Sequence, residues 1–429
     1  MSSNSASALA HDSVQGSQPM DRLTTCRTCL APDPYLFLPL GDHAPAQMLI
    51  KPEDLERAQP SFPLNAQVCL ECGLVEVADQ IPADFFRHYL YVPSGAATMQ
   101  SHFREFAGVL AQHAGGTGLI VDIGCNDGLL LAACNALGCK TLGIDPAANI
   151  AEIANGRGVN VHVAYFHPET AAKVAAEHGK ARIIVTTNTF NHIGDLHNFM
   201  RGIDILLADD GMFVIEVPRA KELIDHNEFD NVYHEHVSEF SLLSLVKLGE
   251  FFDMDVTDVH RLPNIHGGSM RVFLTRNAAG AERTPIVQEM LDEEAAGGML
   301  EASTYQALVE RVDQIGAELR QMLSDLKAQG LKIAGYGASA RGNTLITYFG
   351  IGPQYLDFLV DKNVLKHGLY SPNTRIPIKP VEAIETDKPD ILFVLAWNFF
   401  DEIYAQQNAF LERGGKFVLP LPKPTLVGA

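Results

Sequence analysis

Residues 119–131 read LIVDIGCNDGLLL, a continuous apolar run that meets a glycine-containing turn and continues into a helix-forming stretch. An uninterrupted apolar strand is typical of a parallel sheet, whose strands are buried on both faces. After Asp122, the glycines Gly124 and Gly128 follow the spacing D-x-G-x-x-x-G, which differs from G-x-G-x-x-G. Glycine in such a turn lets the backbone approach a bound nucleoside closely. The stretch therefore predicts the strand, turn and helix that open a nucleoside-binding α/β domain.

The segments that follow alternate between strand and helix patterns. KTLGIDP, VNVHVAYF, ARIIVTTNTF and GMFVIEVP are strand-like, and MRVFL ends the series near Leu274. This alternation predicts a doubly wound parallel sheet, a Rossmann-like domain over residues 101–283. LKIAGYGASARGN, LDFLVD and PDILFVLAW repeat the pattern and predict a second, smaller Rossmann-like domain over residues 329–429. Residues 284–328 have apolar positions at helical spacing and predict one long connecting helix.

Composition and charge exclude several classes of protein. The 429 residues, 47% of them hydrophobic, suffice for about three domains with their own cores. The net charge of −20 repels phosphate backbones and anionic lipids, so nucleic acid and membrane surfaces are excluded as partners. Neither a membrane-spanning run nor a signal-peptide pattern is present. We expect a cytoplasmic monomer that acts on a small molecule and has a disordered tail over residues 1–20.

Four of the seven cysteines form two C-x-x-C pairs in a segment without long helix patterns. The pairs are Cys26 with Cys29 and Cys69 with Cys72, and 39 residues separate them. A two-residue spacer lets two thiolates converge on one ion, and two such pairs supply a closed tetrahedral site suited to Zn²⁺. The alternative, four unrelated buried thiols, does not explain the shared spacing. We therefore predict a structural zinc in a small module over residues 21–100, which also contains an aromatic loop.

Further polar residues extend the nucleoside site. Asp145 ends the next strand, at LGIDP, where a carboxylate can accept hydrogen bonds from both ribose hydroxyls. Asn126 in the turn and Asn188 after ARIIVTT are added as cofactor-binding candidates. The D-x-G-x-x-x-G turn resembles the first motif of S-adenosylmethionine methyltransferases, in which the loop holds the amino acid part of the cofactor. This resemblance implies S-adenosylmethionine as the cofactor.

The segment NVYHEHVSEFS, residues 231–241, holds several groups that can move a proton. Tyr233, Glu235 and His236 lie within four residues, and together they can donate to a carbonyl, orient a base and remove a proton. Tyr233 and His236 are three apart, so a helical turn would place them on one face. His192, in TTNTFNHI, follows a strand at the carboxyl edge of the predicted sheet, where ligands bind.

Seven motifs, in one order from about residue 22 to residue 424, make the chain similar to the nucleotide-sugar C-methyltransferases of deoxysugar biosynthesis. They are CxxC…CxxC, FFRHYLYVPSG, VDIGCNDG, N-x-x-x-H-I, Y-x-E-H, L-P-x-x-H-G-G and GYGASARGNTL followed by LVDKNVLKHG. The resemblance implies an enzyme whose middle domain holds the methyl donor. It also implies a nucleotide-linked 4-keto sugar bound between that domain and the C-terminal domain.

The resemblance also implies roles for individual residues. His236 would be the general base that takes the proton next to the ketone. Tyr233 and His192 would contact the keto oxygen or help to position the base, and Glu235 would hold the sugar. The substrate-binding candidates are Tyr89, Tyr91, His266, Ser339, Arg341 and Asn343.

The C-terminal turn GYGASARGN leaves other interpretations open. Because it departs from G-x-G-x-x-G, we expect it to bind the substrate nucleotide without a redox cofactor, with Arg341 at a helix start pairing with a diphosphate. The alternatives are C-methylation of another keto substrate, an NAD-dependent dehydrogenase that uses this turn, and a zinc-ribbon interaction protein with a degenerate enzyme fold.

Overall fold

The computed structural model describes residues 22–79, 81 and 97–428. The tail predicted over residues 1–20 and the two loop tyrosines, Tyr89 and Tyr91, lie outside the described residues. Within the described part of the chain, no helix has both the length and the apolar character needed to cross a membrane.

The N-terminal module is built from short antiparallel strands around the cysteine pairs. In FPLNAQV the residues Phe62, Leu64 and Ala66 alternate inward, as expected for a strand with one face on a core. The strands are β1 (Tyr35–His43), β2 (Phe62–Val68) and β3 (Val75–Val77). They pair in the order β1-β2-β3.

The middle domain is a doubly wound sheet, as the sequence predicts. Its helices are α1 (Ala97–Ala114), α2 (Leu129–Ala136), α3 (Ala148–Gly156), α4 (Pro168–His178), α5 (Leu196–Leu206), α6 (Ala220–Asp225) and α7 (Leu242–Glu250). Its strands are β4 (Leu119–Ile123), β5 (Lys140–Asp145), β6 (Val161–Val163), β7 (Ala181–Thr187), β8 (Leu207–Pro218), β10 (Met254–Leu262) and β11 (Ser269–Arg276), with the short β9 (Ser238–Glu239) between α6 and α7. The sheet order is β10-β11-β8-β7-β4-β5-β6, in which β10 and β11 are antiparallel additions. All five residues of β4 are buried, which explains its continuous apolar sequence.

One predicted element differs from the structure. The single connecting helix expected over residues 284–328 is two helices, α8 (Pro285–Ala296) and α9 (Ala302–Ala328). Gly297 and Gly298 separate them, and Gly298 has a φ of +71°, which an L side chain rarely adopts. A Cβ at Gly298 would also lie only 2.5 Å from Thr304 Oγ1. The glycine pair therefore ends the first helix and turns the chain.

The C-terminal domain has a second mainly parallel sheet, as predicted. Its elements are β12 (Ile333–Tyr336), α10 (Ala340–Tyr348), β13 (Phe358–Val360), β14 (Ile378–Lys379), α11 (Ala383–Asp387), β15 (Ile391–Val394), α12 (Phe400–Gln406), α13 (Asn408–Glu412), β16 (Lys416–Leu419) and β17 (Thr425–Val427). The sheet order is β14-β13-β12-β15-β16-β17, in which β17 is antiparallel. The predicted domain boundaries at residues 21, 101, 284 and 329 stay predictions.

The short strand β9 joins the N-terminal module to the middle domain. Val75 pairs with Glu239 and Glu76 with Ser238, so β9 extends the β1-β2-β3 sheet. Because β9 directly follows the YHEH sequence, the cysteine module borders the segment that carries the candidate base.

Candidate active site and metal centre

The four cysteines of the two C-x-x-C pairs converge. The Cys26 and Cys72 sulfurs are 3.6 Å apart and those of Cys29 and Cys69 are 3.4 Å apart, and all four lie within 4.8 Å of one another. Tetrahedral zinc with Zn–S bonds of about 2.3 Å requires sulfur separations near these values. The four thiols therefore fit one zinc ion, and no open ligand position remains.

The two cysteine turns have the same backbone geometry. The amide of Leu30 donates to the Cys26 carbonyl (3.1 Å), and the amide of Gly73 donates to the Cys69 carbonyl (2.8 Å). Leu30 and Gly73 each follow the second cysteine of a pair and have left-handed φ values of 62° and 74°. The positive φ explains why glycine occupies position 73.

The predicted cofactor turn lies at the carboxyl end of β4. Gly124 has a φ of 76°, and its amide donates to the Ile144 carbonyl at 2.7 Å. A Cβ on Gly124 would lie 2.2 Å from Thr189 Oγ1, so this turn packs against the residue that follows Asn188. The structure thus brings the β4 turn and the loop after β7 together at one sheet edge.

Asp145 is fixed at the end of β5 by backbone donors. The Asn126 amide donates to its Oδ2 at 3.0 Å and the Ala147 amide to its Oδ1 at 2.9 Å. A carboxylate offers about four lone-pair sites, so two bonds leave capacity for a ribose diol. The geometry is compatible with the predicted ribose contact.

Asp122 brings a buried acid to the cofactor turn, close to Asp145 and Glu216. Its side chain is buried, and among the described residues its Oδ1 has no hydrogen-bond partner. Burial, together with the nearby charges of Asp145 and Glu216, raises the pKa of Asp122 to about 8. A ligand that brings positive charge would lower this pKa and favour the ionised carboxylate. The turn therefore fits a cationic cofactor such as S-adenosylmethionine, which carries a sulfonium and an ammonium group.

We predict that Asp145→Ala weakens the binding of S-adenosylhomocysteine by at least tenfold. A hydrogen bond to a charged group contributes about 1.5–3 kcal/mol, which corresponds to roughly 10- to 100-fold in Kd. Isothermal titration calorimetry measures the change. The matched control is Asp209→Ala, because Asp209 is exposed near the opposite end of the sheet. Unchanged affinity in a folded Asp145→Ala variant would remove Asp145 from the site.

The candidate catalytic rings form a cluster. The Tyr233 and His236 rings lie 4.1 Å apart between centroids, and the His192 ring lies 5.0 Å from that of His236. Tyr233 and His236 are joined by a turn and not by a helix. In this turn the His236 amide donates to the Tyr233 carbonyl at 2.9 Å. His234 points elsewhere, with Nε2 3.0 Å from the Pro63 carbonyl.

Burial controls the protonation of the cluster. Burial lowers the pKa of His192 to about 4 and the pKa of His236 well below its usual value. The pKa of His236 is lowered further by His192 and His266 where these are protonated, and by the charge of Arg341. Burial raises the pKa of Glu235 to about 7. Both imidazoles are therefore neutral near pH 7, which is the form a general base requires.

Glu239 is a site residue that the sequence analysis missed. Its Oε1 lies 3.2 Å from His236 Nδ1, and its Oε2 accepts from Asn231 Nδ2 at 3.1 Å. Glu239 is inside the quoted segment NVYHEHVSEFS, but only the turn at residues 233–236 and the strand β9 place it beside the ring. The spacing of three from His236 was the one sequence feature that pointed to it.

Arg341 joins the C-terminal domain to the middle domain. Its guanidinium lies 3.1 Å from Glu228 Oε2 and 2.9 Å from Asp230 Oδ1, and it also donates to the His266 carbonyl at 3.3 Å. Trp397 stacks on the guanidinium at 4.6 Å and donates to Asp230 at 2.9 Å. The two carboxylates already balance its charge, so a diphosphate at Arg341 would have to exchange with them.

The other C-terminal candidates lie near a small cavity. Ser339 caps α10 by accepting from the Gly342 amide at 3.0 Å, and Asn343 is buried. Both line a cavity of about 10 Å³ together with Gly337, which is room for one water molecule. Their contact with a substrate therefore stays a prediction. His266 lies near the catalytic rings, where burial lowers its pKa to about 4.

Comparisons with known proteins agree with this arrangement. Residues 264–422 match the family described as "C-methyltransferase C-terminal domain", residues 99–259 match "Methyltransferase domain", and residues 26–86 match "Putative zinc binding domain". The C-methyltransferase NovU of Streptomyces niveus is 38% identical over 407 residues, which are 94% of this chain and 97% of NovU. The chain belongs to the C-methyltransferase family.

More distant relatives match a smaller share of this C-methyltransferase. A ubiquinone biosynthesis O-methyltransferase of Methylobacterium sp. (strain 4-46) is 27% identical over 95 residues, 22% of this chain and 38% of that protein. The solved magnesium protoporphyrin IX methyltransferase of Synechocystis, with bound SAM, is 12% identical with a TM-score of 0.33, over 41% of this chain and 79% of that one.

The comparisons decide between the interpretations that the sequence left open. The chain is an S-adenosylmethionine-dependent C-methyltransferase with a zinc-binding module, so the predicted fold class, cofactors and enzyme class are confirmed. The glycine turn of the C-terminal domain falls inside the C-methyltransferase match at residues 264–422, and the dehydrogenase alternative is wrong. The interaction-protein alternative is wrong for the same reason.

Proposed function

We propose that this enzyme methylates the carbon next to the ketone of a nucleotide-linked 4-keto-deoxysugar. The observation that carries the proposal is the largely buried His236 imidazole, neutral because its pKa is lowered, whose ring lies beside those of Tyr233 and His192. Methylation of a carbon needs a base, since a C–H bond next to a ketone must lose its proton before it becomes nucleophilic. The location in the cytoplasm, the monomeric state and the domain boundaries belong to the same proposal.

The proposed steps follow from the positions of these side chains. His236 Nε2 takes the proton from the carbon, and the C–H electron pair moves toward the keto oxygen to give an enolate. The Tyr233 hydroxyl and the neutral His192 ring donate hydrogen bonds to that oxygen, and each such donor commonly contributes 10²–10³ in rate. S-adenosylmethionine, which the turns at Gly124 and Asp145 would hold, would supply the electrophilic methyl group for this carbon.

Glu235 has properties suited to holding the sugar. Because its pKa is raised to about 7 by burial, the carboxyl group can donate to or accept from a hydroxyl near neutral pH. Its protonated form adds no charge next to a developing enolate, whereas an ionised carboxylate there would oppose enolate formation.

The C-terminal domain has an acid and a glycine turn arranged like those of the cofactor site, and this supports nucleotide binding there. Asp361 accepts from the Ala338 amide at 2.8 Å and from the Asn363 amide at 2.8 Å. Asp145 accepts in the same way from a turn amide and from the amide two residues further on. In both domains a turn glycine also donates to the carbonyl just before the acid. We therefore assign the nucleotide part of the substrate to the C-terminal domain.

Incubation with a panel of sugar nucleotides tests the proposal. We expect a gain of one methyl group, read by mass spectrometry, with 4-keto-deoxysugar nucleotides and labelled donor. The matched controls are the same nucleotides reduced to the 4-hydroxyl, which lack an acidic C–H bond and should stay unmodified. Methylation of the reduced sugars at equal rates, or of free keto acids and no sugar nucleotide, would overturn the proposal.

A further inference from the structure

The geometry around His236 points to Glu239 as the residue that positions the base. We propose that Glu239 accepts the Nδ1 proton of His236 and so keeps Nε2 unprotonated and available to the substrate. This inference rests on the proposed function, in which His236 removes a proton from carbon. Glu239 does not reach the substrate in this scheme and acts only through the imidazole.

Two contacts define the orientation of the Glu239 carboxylate. Its Oε1 is 3.2 Å from His236 Nδ1, and its Oε2 accepts from Asn231 Nδ2 at 3.1 Å. The backbone of Glu239 is held in β9 by pairing with Val75 of the N-terminal module. With the side chain buried, both its oxygens have fixed partners. The ring of His236 therefore meets a carboxylate that cannot easily turn away.

Charged groups from several elements face this pair. Arg341 of α10 faces both members of the pair, and His192 and His266 face His236 from two other segments. The acids that face Glu239 are Glu228 and Asp230, and both pair with Arg341.

The balance of these groups favours a neutral final state. Burial, together with Glu228 and Asp230, raises the pKa of Glu239 well above its usual value, whereas burial lowers that of His236. A buried imidazolium is therefore costly, and a protonated Glu239 is not.

Proton transfer through the pair balances without an added reactant. In the reactive form, which the enzyme reaches as the pH rises and Glu239 ionises, Glu239 is a carboxylate and His236 carries its single proton on Nδ1. When Nε2 accepts the substrate proton, the Nδ1 proton passes to Glu239. The pair ends as a neutral carboxylic acid beside an imidazole protonated on Nε2, and the C–H electron pair remains on the substrate as an enolate. Carboxylate–histidine pairs also fix the imidazole tautomer in hydrolases, although the carboxylate stays ionised there.

Substitution of Glu239 by glutamine separates this role from simple packing. Because Asn231 Nδ2 donates to the outer oxygen, the carbonyl of a glutamine is directed toward Asn231 and its amide group toward His236 Nδ1. An amide donor at Nδ1 requires the tautomer that carries its proton on Nε2. The side-chain volume is preserved, but the base would be blocked.

The test is an NMR measurement of the His236 tautomer in ¹⁵N-histidine-labelled enzyme without substrate, assigned by the loss of its signal in His236→Asn. In the wild type we expect a change with pH, from the Nε2–H form at low pH to the Nδ1–H form as Glu239 ionises. Glu239→Gln should hold the Nε2–H form throughout. Glu235→Gln is the matched control, since it alters a neighbouring buried acid that has no contact with Nδ1, and it should keep the change.

Kinetics on a 4-keto sugar nucleotide add a second readout. We expect Glu239→Gln to lower substrate C–H exchange and kcat by 10²-fold or more, with KM and S-adenosylhomocysteine affinity near wild type, and Glu239→Asp to recover part of the rate. A wild-type enzyme that keeps Nε2–H at every pH overturns the inference without any variant, as does Glu239→Gln with wild-type exchange. If His236→Asn exchanges the substrate hydrogen at the wild-type rate, His236 is not the base and the proposed function fails at that step. The NMR measurement of the His236 tautomer then still tests whether Glu239 accepts the Nδ1 proton.

Discussion

Replacing His236 by asparagine is expected to abolish methyl transfer while the affinity for S-adenosylhomocysteine stays near its wild-type value. In the proposed function the imidazole acts in the chemical step, whereas the proposed cofactor contacts lie on the turns at Gly124 and Asp145. A positioned general base typically contributes 10²–10⁴ in rate, so the loss should be at least this large. NMR of hydrogen exchange at the carbon next to the ketone, with sugar substrate and no methyl donor, isolates the proton transfer.

We expect variants of Tyr233 and Glu235 to lose less methyl-transfer activity than His236→Asn. Tyr233→Phe removes one donor to the enolate oxygen and should show an intermediate loss. Glu235→Gln should lose least, since it only holds or orients the sugar. If His236→Asn exchanges the hydrogen at the wild-type rate, His236 is not the base, and Tyr233 becomes the better candidate.

The cofactor side of the site could be predicted because it is local in sequence. A buried strand, a positive-φ glycine and an acid at the end of the next strand each leave a direct mark, as Gly124 and Asp145 show. The same holds for the cysteine pairs, whose two-residue spacing already brings two thiols together. In these cases chain geometry alone sets the distances between the groups.

The other side of the site depends on contacts between distant segments. Arg341 looks available for a diphosphate in sequence, but the fold brings Glu228 and Asp230, more than 100 positions earlier, to its guanidinium. Glu239 likewise acquires its role because β3 fixes the strand that carries it. A sequence pattern identifies neither partner, since opposite charges occur throughout the chain.

The helix break at Gly297 and Gly298 shows a third kind of limit. Apolar positions at helical spacing continue on both sides of the glycines, so periodicity favours one helix over residues 284–328. The structure has two helices, because Gly298 has a left-handed φ and lies close to Thr304. Glycine is tolerated inside helices at a cost near 1 kcal/mol, so its presence alone does not end one.

The cysteine module directly contacts the segment that carries the candidate base, residues 233–241, which we call the catalytic segment. Arg27, between the first pair of cysteines, donates from Nη1 to the Val237 carbonyl at 3.2 Å and pairs with Glu76 at 3.1 Å. His197 also binds the cysteine turn, with Nε2 2.9 Å from the Thr28 carbonyl. Since Val237 follows His236, a change in the position of the module is transmitted to the candidate base.

We predict that Cys69→Ser removes the bound zinc and destabilises both the module and the catalytic segment. Structural zinc contributes on the order of 10 kcal/mol in zinc-finger peptides, so a module that depends on it should lose its fold. Metal analysis of wild-type enzyme prepared without chelator should find about one zinc per chain. Hydrogen–deuterium exchange followed by mass spectrometry should show faster exchange in β2, β3 and residues 233–241, because β9 pairs with β3.

Cys139→Ser is the control for this prediction, since Cys139 is partly exposed, lies outside the cysteine cluster and packs at the edge of another part of the core. It should retain zinc and the wild-type exchange pattern. The strands β5 and β6 supply an internal reference, because they belong to a different sheet from β3 and should exchange alike in all three proteins. Wild-type enzyme free of zinc would contradict the metal site. If Cys69→Ser loses zinc but its residues 233–241 exchange as in the wild type, the cysteine module does not hold that segment. Loss of zinc with faster exchange confined to β2, β3 and the 233–241 segment would show that the metal acts on the base through the backbone of β9.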